Sequence, residues 1–325
     1  MIEVQGLSKQ YHQLIAVDRL SFQVQAGQTL ALIGTSGSGK TTTLKMINRL
    51  IEPSAGNILL HGKNIRELAV EEVRRNMGYV IQSIGLFPHY TVEENIAVVP
   101  NLLKWDKQKT KARVYQLMDQ LKIPAKDYAQ KYPKQLSGGQ QQRVGIARAL
   151  AANPPIILMD EPFGALDPIT RKDIRKDFLE LEELSSKTTI MVTHDVEEAF
   201  EMADLICLLD QGKIQQLATP KELLFEPNNT FVKSFLADKR LQLELHALTL
   251  NDLSDFLPDV QTPPPSPIDI HANTSVIEVI RIFTQHNFDQ AMAKTQFEGF
   301  AKFYDFGTLM NSFQHRIAQL KNASA

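Results

Sequence analysis

A glycine-rich loop set between an apolar run and a helical run restricts the fold of this chain more than any other feature. Residues 34–41 read GTSGSGKT and match the pattern G-x-x-x-x-G-K-[ST], with TLALI before them and KTTTLKMINRL after them. Glycines let backbone N–H groups and the N-terminus of the helix point at an anion, where side chains would block its approach. The loop therefore predicts a polyphosphate site made by Gly34, Thr35, Ser36, Gly37, Ser38, Gly39, Lys40, Thr41 and Thr42.

Two side chains of this loop have the chemistry of a nucleoside triphosphate site. The Lys40 ammonium is expected to bridge the β- and γ-phosphates, and the Thr41 hydroxyl is expected to ligate Mg²⁺. The alternative is a tight turn between strand and helix without a ligand. The match of both the pattern and its setting argues against that alternative.

A second strand ends in two adjacent carboxylates. In IILMDEP, four apolar residues precede Asp160, which places its carboxylate at the C-terminal edge of a strand, where open parallel sheets bind ligands. Asp160 is predicted to hold Mg²⁺. Glu161 should project to the opposite side because side chains alternate along a strand, which suits a residue that polarises the attacking water. Taken alone, such a pair after a strand is more often a solvated strand end, so its functional interpretation depends on the phosphate loop.

Apolar runs and helical patterns alternate along most of the chain. Runs such as TLALIG, IILMDE and TIMVTHD are separated by helical patterns. Near-continuous apolar strands with helices between them predict an α/β fold whose parallel sheet is covered on both faces. From about residue 87 to residue 151 the strand signals disappear, and apolar residues recur at helical spacing at Val114, Leu117, Met118 and Leu121. We expect a helical subdomain inserted into the sheet.

The chain after residue 237 has a different character. Residues 238–267 are predicted to be a linker, because the pattern weakens there and its end, PDVQTPPPSP, is rich in proline. Residues 268–325 are predicted to be a short helical tail, with Ser275 and Glu278 as a capping box and a second apolar stripe at Leu309, Met310, Phe313, Ile317 and Leu320. These apolar faces need a partner, either the part of the chain before residue 238 or a second tail.

Charge and composition exclude several classes of protein. A net charge of −2 argues against a nucleic-acid partner, because nucleic-acid-binding domains are usually strongly basic. Cys207 is the single cysteine, which excludes an intramolecular disulfide and a cysteine zinc site and fits a reducing, intracellular compartment. No apolar run reaches about 18 residues, and the first residues lack the pattern of a secretory signal. We therefore expect a chain that neither enters nor spans a membrane.

The order of three motifs points to one family. With GTSGSGKT, LSGGQ and ILMDEP in that order, residues 1 to about 235 resemble the nucleotide-binding subunit of ABC transporters. The resemblance implies a P-loop NTPase (RecA-like) core with an antiparallel β subdomain and an inserted α-helical subdomain, so that residues 1–237 form the ATP-binding cassette. It also implies ATP and Mg²⁺ as ligands and ATP hydrolysis as the reaction.

The resemblance assigns roles to four further residues. Tyr11 is similar to the aromatic residue that stacks on adenine, and Asp167 in GALD to the D-loop aspartate. Gln82 in YVIQS resembles the Q-loop glutamine, which links the metal site to the helical subdomain. His194 in VTHD resembles the switch histidine, which lies at the γ-phosphate. The implied catalytic residues are Glu161, His194 and Gln82, and the implied metal ligands are Thr41, Gln82 and Asp160.

Each of these four residues has a structural alternative when taken singly. Tyr11 could pack on the sheet, Gln82 could be a polar residue at a strand end, and His194 could be a hydrogen-bonded structural histidine. Asp167 precedes Pro168, a pattern typical of a helix N-cap. It can be both the N-cap and the D-loop aspartate.

The second glycine pair, in LSGGQ, is explained by the resemblance. In this family two subunits face each other head to tail, and this motif of one subunit closes over the phosphate held by the other. Ser137, Gly138, Gly139 and Gln140 would then bind ATP of the partner in a homodimer, with a hydroxyl, open N–H groups and a helix N-terminus directed at phosphate. A plain helix start would explain Ser137 as the N-cap but not the paired glycines, which disfavour a helix.

The stretch after Gln82 bears on the transported solute. IGLFPHYTVEENIAVVPNLLKW is similar to the corresponding segment of ATPases of quaternary-amine osmoprotectant importers, which take up glycine betaine, carnitine or choline. The implied partners are integral-membrane permease subunits and, indirectly, an extracellular solute-binding protein, with the chain peripheral on the cytoplasmic face of the inner membrane. Importers of amino acids or other small solutes, and a soluble ABC ATPase without a transport role, remain alternatives.

Two segments leave their role open at this point. Leu86, Phe87 and Pro88 would offer a pocket to a helix of the permease, or they cover the core of their own subdomain. Many ATPases of the osmoprotectant branch end in two tandem CBS domains, and TSVIEVIRIFTQHNFDQAMA looks like the first helix of one. The segment after the prolines is too short for a tandem pair, so a half or degenerate CBS unit is expected.

Overall fold

A computed structural model describes residues 1–83, 85–258, 266–286 and 291–323. Their contacts divide the chain into two compact units: Met1–Asp195 with Met202–Leu217, and Val196–Glu201 with Ala218–Ala325. Among the described residues, no helix is both long and apolar enough to cross a membrane.

The first unit alternates strands and helices as the apolar runs predict. Its strands are β1 (Ile2–Tyr11), β2 (Leu14–Val24), β3 (Thr29–Gly34), β4 (Ala55–Leu60), β5 (Lys63–Asn64), β6 (Met77–Val80), β7 (Ile156–Asp160), β8 (Thr188–Val192), β9 (Leu205–Asp210) and β10 (Lys213–Ala218). Its helices are α1 (Lys40–Ile47), α2 (Val70–Arg75), α3 (Val92–Leu102), α4 (Lys107–Gln120), α5 (Ala125–Tyr128), α6 (Gly138–Leu150) and α7 (Pro168–Leu179). Short 3₁₀ turns lie at Ile65–Glu67, Pro133–Gln135 and Glu182–Ser186.

A six-stranded sheet in the order β10–β9–β3–β8–β7–β6 positions the motifs. The neighbours from β9 to β6 pair in parallel, and β7 and β8 are buried along their whole length. Parallel strands end at the same edge of a sheet. The phosphate loop follows β3, Asp160 ends β7, His194 follows β8 and Gln82 follows β6, so the sheet order brings these loops to one edge.

An antiparallel sheet in the order β2–β1–β4–β5 completes the strand framework of this unit. One buried apolar core joins it to α1 and the six-stranded sheet, with Ile2 and Val4 from β1, Leu44 from α1 and Leu30 from β3 among its members. The predicted fold class, a P-loop core with an antiparallel β subdomain, is confirmed.

The helices α3 to α6 lie between β6 and β7 in the chain and form the predicted helical insertion. A capping box begins α3, where the Glu94 amide donates to the Thr91 hydroxyl and the Glu94 carboxylate accepts the Thr91 amide. Helix α4 buries the side chains predicted from its spacing, Val114, Leu117 and Met118, and Leu121 is buried directly after it.

The second unit contains α8 (Val196–Met202), α9 (Pro220–Phe225), α10 (Thr230–Phe235), a 3₁₀ turn (Ala237–Lys239), α11 (Arg240–Ala247), α12 (Leu250–Leu253), β11 (Ile268–His271), α13 (Val276–Gln285), β12 (Ala293–Gln296), β13 (Ala301–Tyr304) and α14 (Phe306–Ala323). Contacts assign all of α8 but its last residue to this unit, although its sequence lies between β8 and β9. The three strands form a sheet in the order β11–β12–β13, parallel for the first pair and antiparallel for the second.

The predicted linker over residues 238–267 is wrong for most of its length. Helices α11 and α12 fall inside it, and they and the residues after each bury leucines at Leu243, Leu248, Leu250, Leu253 and Leu257. The two helices are short and their leucine spacing is irregular, so no period stands out in the sequence. The proline-rich end falls mainly on residues 259–265, outside the described residues.

The tail is more than two helices. Both predicted helices exist as α13 and α14, but the same segment also contains a three-stranded sheet, which was not predicted. Along α14 the stripe residues Leu309, Phe313 and Ile317 are buried, and the helix contacts α12 and α13 of its own unit. The boundary of the cassette at residue 237 stays a prediction, and the division by contacts falls earlier, at Ala218. The likeness of the tail to a CBS unit also stays a prediction.

The capping box predicted at Ser275 and Glu278 is absent from the described structure of α13. Ser275 is the N-cap residue, but its side chain makes no capping hydrogen bond. The Glu278 carboxylate accepts instead from Arg281 Nη1, one turn later, at 2.8 Å. The i, i+3 ion pair has replaced the bond to the backbone.

Candidate functional site

The phosphate loop needs its glycines for different reasons. Gly34 and Gly39 have φ of +143° and +95°, and a Cβ would lie 1.9 Å from the Leu209 carbonyl oxygen at Gly34 and 2.5 Å from the Ala16 carbonyl oxygen at Gly39. Gly37 has φ of +77°, and a Cβ there would meet nothing within 4 Å. The first two glycines allow close backbone packing, whereas Gly37 leaves the mouth of the loop open.

Lys40 lies across the loop that precedes it. Its ammonium donates to the carbonyl oxygens of Gly34 at 3.0 Å and Thr35 at 2.8 Å, and to the Ser38 hydroxyl at 3.3 Å. The side chain is buried, and burial lowers the pKa of Lys40, while the charge of Glu161 works in the opposite direction. The loop thus holds a desolvated cation at the start of α1.

Thr41 and Asp160 form one oxygen pair. The Thr41 hydroxyl donates to Asp160 Oδ1 at 2.8 Å. Burial raises the pKa of Asp160, and the bonds it accepts from Thr41 and from the Tyr79 hydroxyl partly offset that rise. Hydroxyl and carboxylate oxygens fit a hard cation such as Mg²⁺. Among the described residues no cluster of three or more His, Cys, Asp or Glu offers a metal site of protein ligands alone.

Glu161 joins Gln82 to His194. Its Oε2 accepts from Gln82 Nε2 at 2.7 Å and lies 3.3 Å from His194 Nδ1. Glu161 has φ of +46°, uncommon for a residue other than glycine, and its N–H donates to the Val192 carbonyl at 2.9 Å. The alternation argument for its direction was wrong, because β7 ends at Asp160 and the left-handed turn aims the carboxylate instead.

A cavity of about 490 Å³ opens over the loop. Its described lining includes most of the predicted binding residues, namely Tyr11, Gly34, Ser36, Gly37, Ser38, Gly39, Lys40, Thr41 and Thr42, together with Glu161 and His194. Tyr11 is exposed at the end of β1, with the Lys9 ammonium 5.0 Å from its ring centre. Leu14 and Ala16 on β2 extend the wall beside it.

The second glycine loop lies elsewhere: none of Ser137 to Gln140 is among the described residues that line this cavity. In this chain Ser137 and Gln140 satisfy each other in a capping box at the start of α6, and Gln140 Nε2 also donates to the Tyr128 hydroxyl at 3.1 Å. A Cβ on Gly139 would lie 2.5 Å from Thr170 Cγ2, whereas on Gly138 the nearest atom would be 3.9 Å away. Packing thus explains why residue 139 is a glycine, but it does not explain why the exposed residue 138 is one.

Asp167 acts as the N-cap of α7, as its position before Pro168 predicts. Its Oδ1 accepts from the Thr170 N–H at 3.0 Å, and bonds with Thr170 lower its pKa. It is not among the described residues that line the cavity.

Two residues of the site were missed from the sequence. Asp210, the last residue of β9, accepts from the Thr35 hydroxyl at 2.7 Å, which turns Thr35 away from the cavity and into the loop's own support. Asp210 ends an apolar strand as Asp160 does, so the same rule could have found it. Tyr79 carries no such signal, because its contact with Asp160 depends on β6 lying beside β7.

Of the three residues Leu86, Phe87 and Pro88, one lines a described cavity. Phe87 is 47% exposed and lines a separate cavity of about 340 Å³ with Arg74, Val98 and Arg148. Pro88 is exposed and Leu86 half-buried, and neither is among the described lining residues.

Relatives of this chain share most of its length. A family model described as ABC transporter matches residues 17–164. The chain is 48% identical over 273 residues to the osmoprotectant import ATP-binding protein OsmV of Salmonella typhimurium, covering 82% of this chain and 72% of that protein. It is 44% identical over 297 residues to the choline transport ATP-binding protein OpuBA of Bacillus subtilis, covering 90% and 75% of the two chains.

A solved structure agrees in fold as well as in sequence. A dimeric post-hydrolysis state of an ATP-binding cassette bound to ADP and Pi is 32% identical, with a TM-score of 0.61, over 67% of this chain and 98% of that one. The phosphate loop, the strand-end carboxylate and these relatives lead to one conclusion: the chain belongs to the ABC transporter family of ATP-binding proteins.

Proposed function

We propose that the chain is the ATP-hydrolysing subunit of an ABC importer, and that the imported solute is a quaternary-amine osmoprotectant such as glycine betaine, carnitine or choline. The importer and its solute class are supported by the relatives named for osmoprotectant import and choline transport. The hydrolytic role is carried by one observation: Lys40, Glu161 and His194 line a single cavity, with Gln82 bonded to Glu161.

Binding of ATP begins with Lys40 and the loop amides. Phosphate oxygens would replace the loop carbonyls as acceptors of the Lys40 ammonium, and a desolvated ammonium makes strong charge-assisted bonds to them. The N-terminus of α1 adds its dipole. Tyr11, exposed at the rim, offers a ring face to the adenine base.

Mg²⁺ fits the oxygen pair of Thr41 and Asp160, with Gln82 as a further predicted ligand that contacts Glu161 in this structure. When bound, the ion neutralises charge on the phosphate oxygens. Ionised Asp160 supplies the negative charge of this site, and the Thr41 hydroxyl a neutral oxygen.

In this proposal Glu161 acts on water. Gln82 Nε2 donates to Glu161 Oε2 at 2.7 Å, and His194 Nδ1 lies 3.3 Å from the same oxygen. A carboxylate held in this way can orient a water and accept its proton as the water oxygen attacks the γ-phosphorus. The ADP oxygen leaves with the electron pair of the broken bond, and Lys40 stabilises the charge on the phosphate oxygens.

The second glycine loop serves a second copy of the chain in this proposal. Ser137, Gly138 and Gly139 would close over ATP held by the partner in a head-to-tail homodimer, with Gln140 and Asp167 beside them. Two observations support this: these residues lie off the chain's own cavity, and Gly138 has no packing reason to be glycine. The dimeric cassette bound to ADP and Pi is a related assembly.

The remaining partners follow from the importer role. Permease subunits would bind at Phe87 and the cavity beside it, and an extracellular solute-binding protein would act through the permease. This arrangement places the chain peripherally on the cytoplasmic face of the inner membrane. No nucleic-acid partner is proposed.

Uptake measurements test the solute class. In the source cell with the gene deleted, uptake of radiolabelled glycine betaine, carnitine and choline at high osmolarity is compared with that of methionine and histidine. Restoring the wild-type gene should restore uptake of at least one quaternary amine, and a Glu161→Gln gene should not. Restored uptake of an amino acid only would move the chain to another importer class, and equal uptake in all strains would contradict the importer role.

A further inference from the structure

Helices α6 and α7 of the first unit lie side by side with their N-termini at the same end. A Cβ on Gly139, in the first turn of α6, would meet Thr170 in the first turn of α7. Further along, Arg143 of α6 contacts Asp177 of α7. The two contacts follow the same order along both helices, so the LSGGQ loop before α6 and Asp167 before α7 are neighbours.

Asp177 is a buried carboxylate bound by two cations. Its side chain is 6% exposed, and its Oδ2 lies 2.5 Å from Arg143 Nη1. Its Oδ1 accepts from Lys122, two residues after the end of α4. Arg143 Nη1 also donates to the Leu121 carbonyl oxygen at 2.9 Å. These three charged side chains, here called the Asp177 cluster, join the end of α4 to α6 and α7.

Two features distinguish the Asp177 cluster from an ordinary surface ion pair. Lys122 has φ of +56°, a conformation that favours glycine, and its bond to Asp177 gives a reason for a side chain at this position. Exposed ion pairs contribute little to stability, whereas a buried carboxylate that loses its cations is left as an unpaired charge. The cluster therefore resists any movement that separates α6 from α7.

From this geometry we infer that Asp177 is a positioning residue for ATP hydrolysis in the head-to-tail homodimer: through Arg143 and Lys122 it holds α6 against α7, and so keeps the LSGGQ loop beside Asp167 where the loop meets the ATP of a second copy. The inference rests on the proposed function of this loop. Asp177 is not among the described residues that line the chain's own ATP cavity, so ATP binding there should not depend on it.

The test uses variants that remove the ion pair without leaving a buried charge. Arg143→Met combined with Asp177→Leu replaces both charges by apolar side chains of similar size, a change that is often neutral for stability. Lys122 is 59% exposed and stays solvated in this double variant. Arg143→Lys alone keeps a cation at the site but lacks the planar fork of arginine, so its effects should be smaller.

The second unit offers a matched control. Glu244 is 3% exposed and is also bound by two cations, with Arg240 Nε at 2.8 Å and Lys321 Nζ at 3.3 Å. Arg240→Met combined with Glu244→Leu therefore removes a similar buried pair that has no contact with α6 or α7. Chemical denaturation of the full-length proteins measures how far each substitution changes stability.

Hydrogen–deuterium exchange tests whether the Asp177 cluster holds the loop. In Arg143→Met with Asp177→Leu, amides of residues 136–142 should exchange roughly fivefold faster, within the range of energies measured between coupled residues. The control should exchange there as the wild type does. Equal exchange over these residues in all the proteins would overturn the inference.

Sedimentation tests the consequence for the shared site. In a Glu161→Gln background with Mg²⁺ and ATP, the double variant should raise the Kd of the dimer roughly 10-fold, the effect of losing one bond to a charged group. Its ATP affinity, measured at concentrations where the chain is a monomer, should be unchanged. Loss of ATP binding as well would show a general structural role and overturn the inference.

The outcomes separate the two proposals. An unchanged dimer Kd in the double variant would overturn the positioning role of Asp177 and leave the shared site standing. No dimer in Glu161→Gln alone would overturn the shared site, and with it any role of Asp177 there, whatever the exchange data show.

Discussion

The two glycine loops of this chain look alike in sequence and differ in structure. The phosphate loop is surrounded by its partners: Lys40 crosses it, Asp210 supports it, and Glu161 and His194 line the same cavity. The LSGGQ loop has its polar groups satisfied by its own capping box and lies off that cavity. The difference supports the proposal that one chain carries a whole phosphate cradle, and that its LSGGQ loop completes a site held by a second copy of the chain.

The largest effect on turnover is expected from Glu161→Gln, in the cavity over the phosphate loop. The change keeps the shape and the contacts with Gln82 and His194 but removes the carboxylate that takes the proton from water. Turnover should fall about 10²- to 10⁴-fold with ATP affinity retained. Phosphate release and nucleotide titration measure the two quantities, with Glu180→Gln, an exposed residue at the end of α7, as the control. Near-normal turnover would remove Glu161 from the site.

Lys40→Ala should weaken ATP binding itself. The ammonium would exchange its bonds to the loop carbonyls for bonds to phosphate, and the loss of one bond to a charged group, about 1.5–3 kcal/mol, corresponds to roughly a 10- to 150-fold loss of affinity. Titration with a fluorescent ATP analogue in Mg²⁺ measures it, and Lys63→Ala on the exposed strand β5 should bind as the wild type does. Unchanged ATP affinity in Lys40→Ala would contradict the proposal that Lys40 binds the phosphates of ATP.

The paired glycines give the sharpest contrast within the LSGGQ loop. Gly139→Ala should destabilise the chain by about 1–3 kcal/mol, because its Cβ meets Thr170. Gly138→Ala has room and lies in the first turn of α6, where alanine favours the helix by up to about 1 kcal/mol over glycine.

Chemical denaturation measures both stabilities, and ATPase assays show what Gly138 does. If Gly138 approaches a partner's phosphate, Gly138→Ala should lower turnover in a chain that is as stable as the wild type or more so. A stable Gly138→Ala chain with full turnover would mean that this loop does not serve a site.

The motif loops were predictable because ligand geometry dictates their spacing. GTSGSGKT is one contiguous run, and most of its residues line the same cavity. The cap role of Asp167 was predictable for a similar local reason, since Pro168 follows it. In each case the residues that carry the signal are neighbours in the chain.

The features that were missed depend on pairing between distant segments. Strands β11, β12 and β13 have four residues each, too few to show a period, and β11 pairs with β12, a segment more than 20 residues further along the chain. Tyr79 reaches Asp160 only because β6 pairs with β7. The left-handed turn at Glu161 has no signal in ILMDEP, although it decides where the carboxylate points.

The assembly state most directly tests the claim that the LSGGQ loop of one copy of the chain completes the ATP site of a second copy. Sedimentation of Glu161→Gln with Mg²⁺ and ATP should show the mass of two chains, and without nucleotide the mass of one or a weak equilibrium. Adding Ser137→Arg should keep the chain a monomer with ATP while ATP binding persists, because an arginine would occupy the place of the partner's phosphate. A dimer that forms without ATP, or that survives Ser137→Arg, would contradict a site shared between two copies.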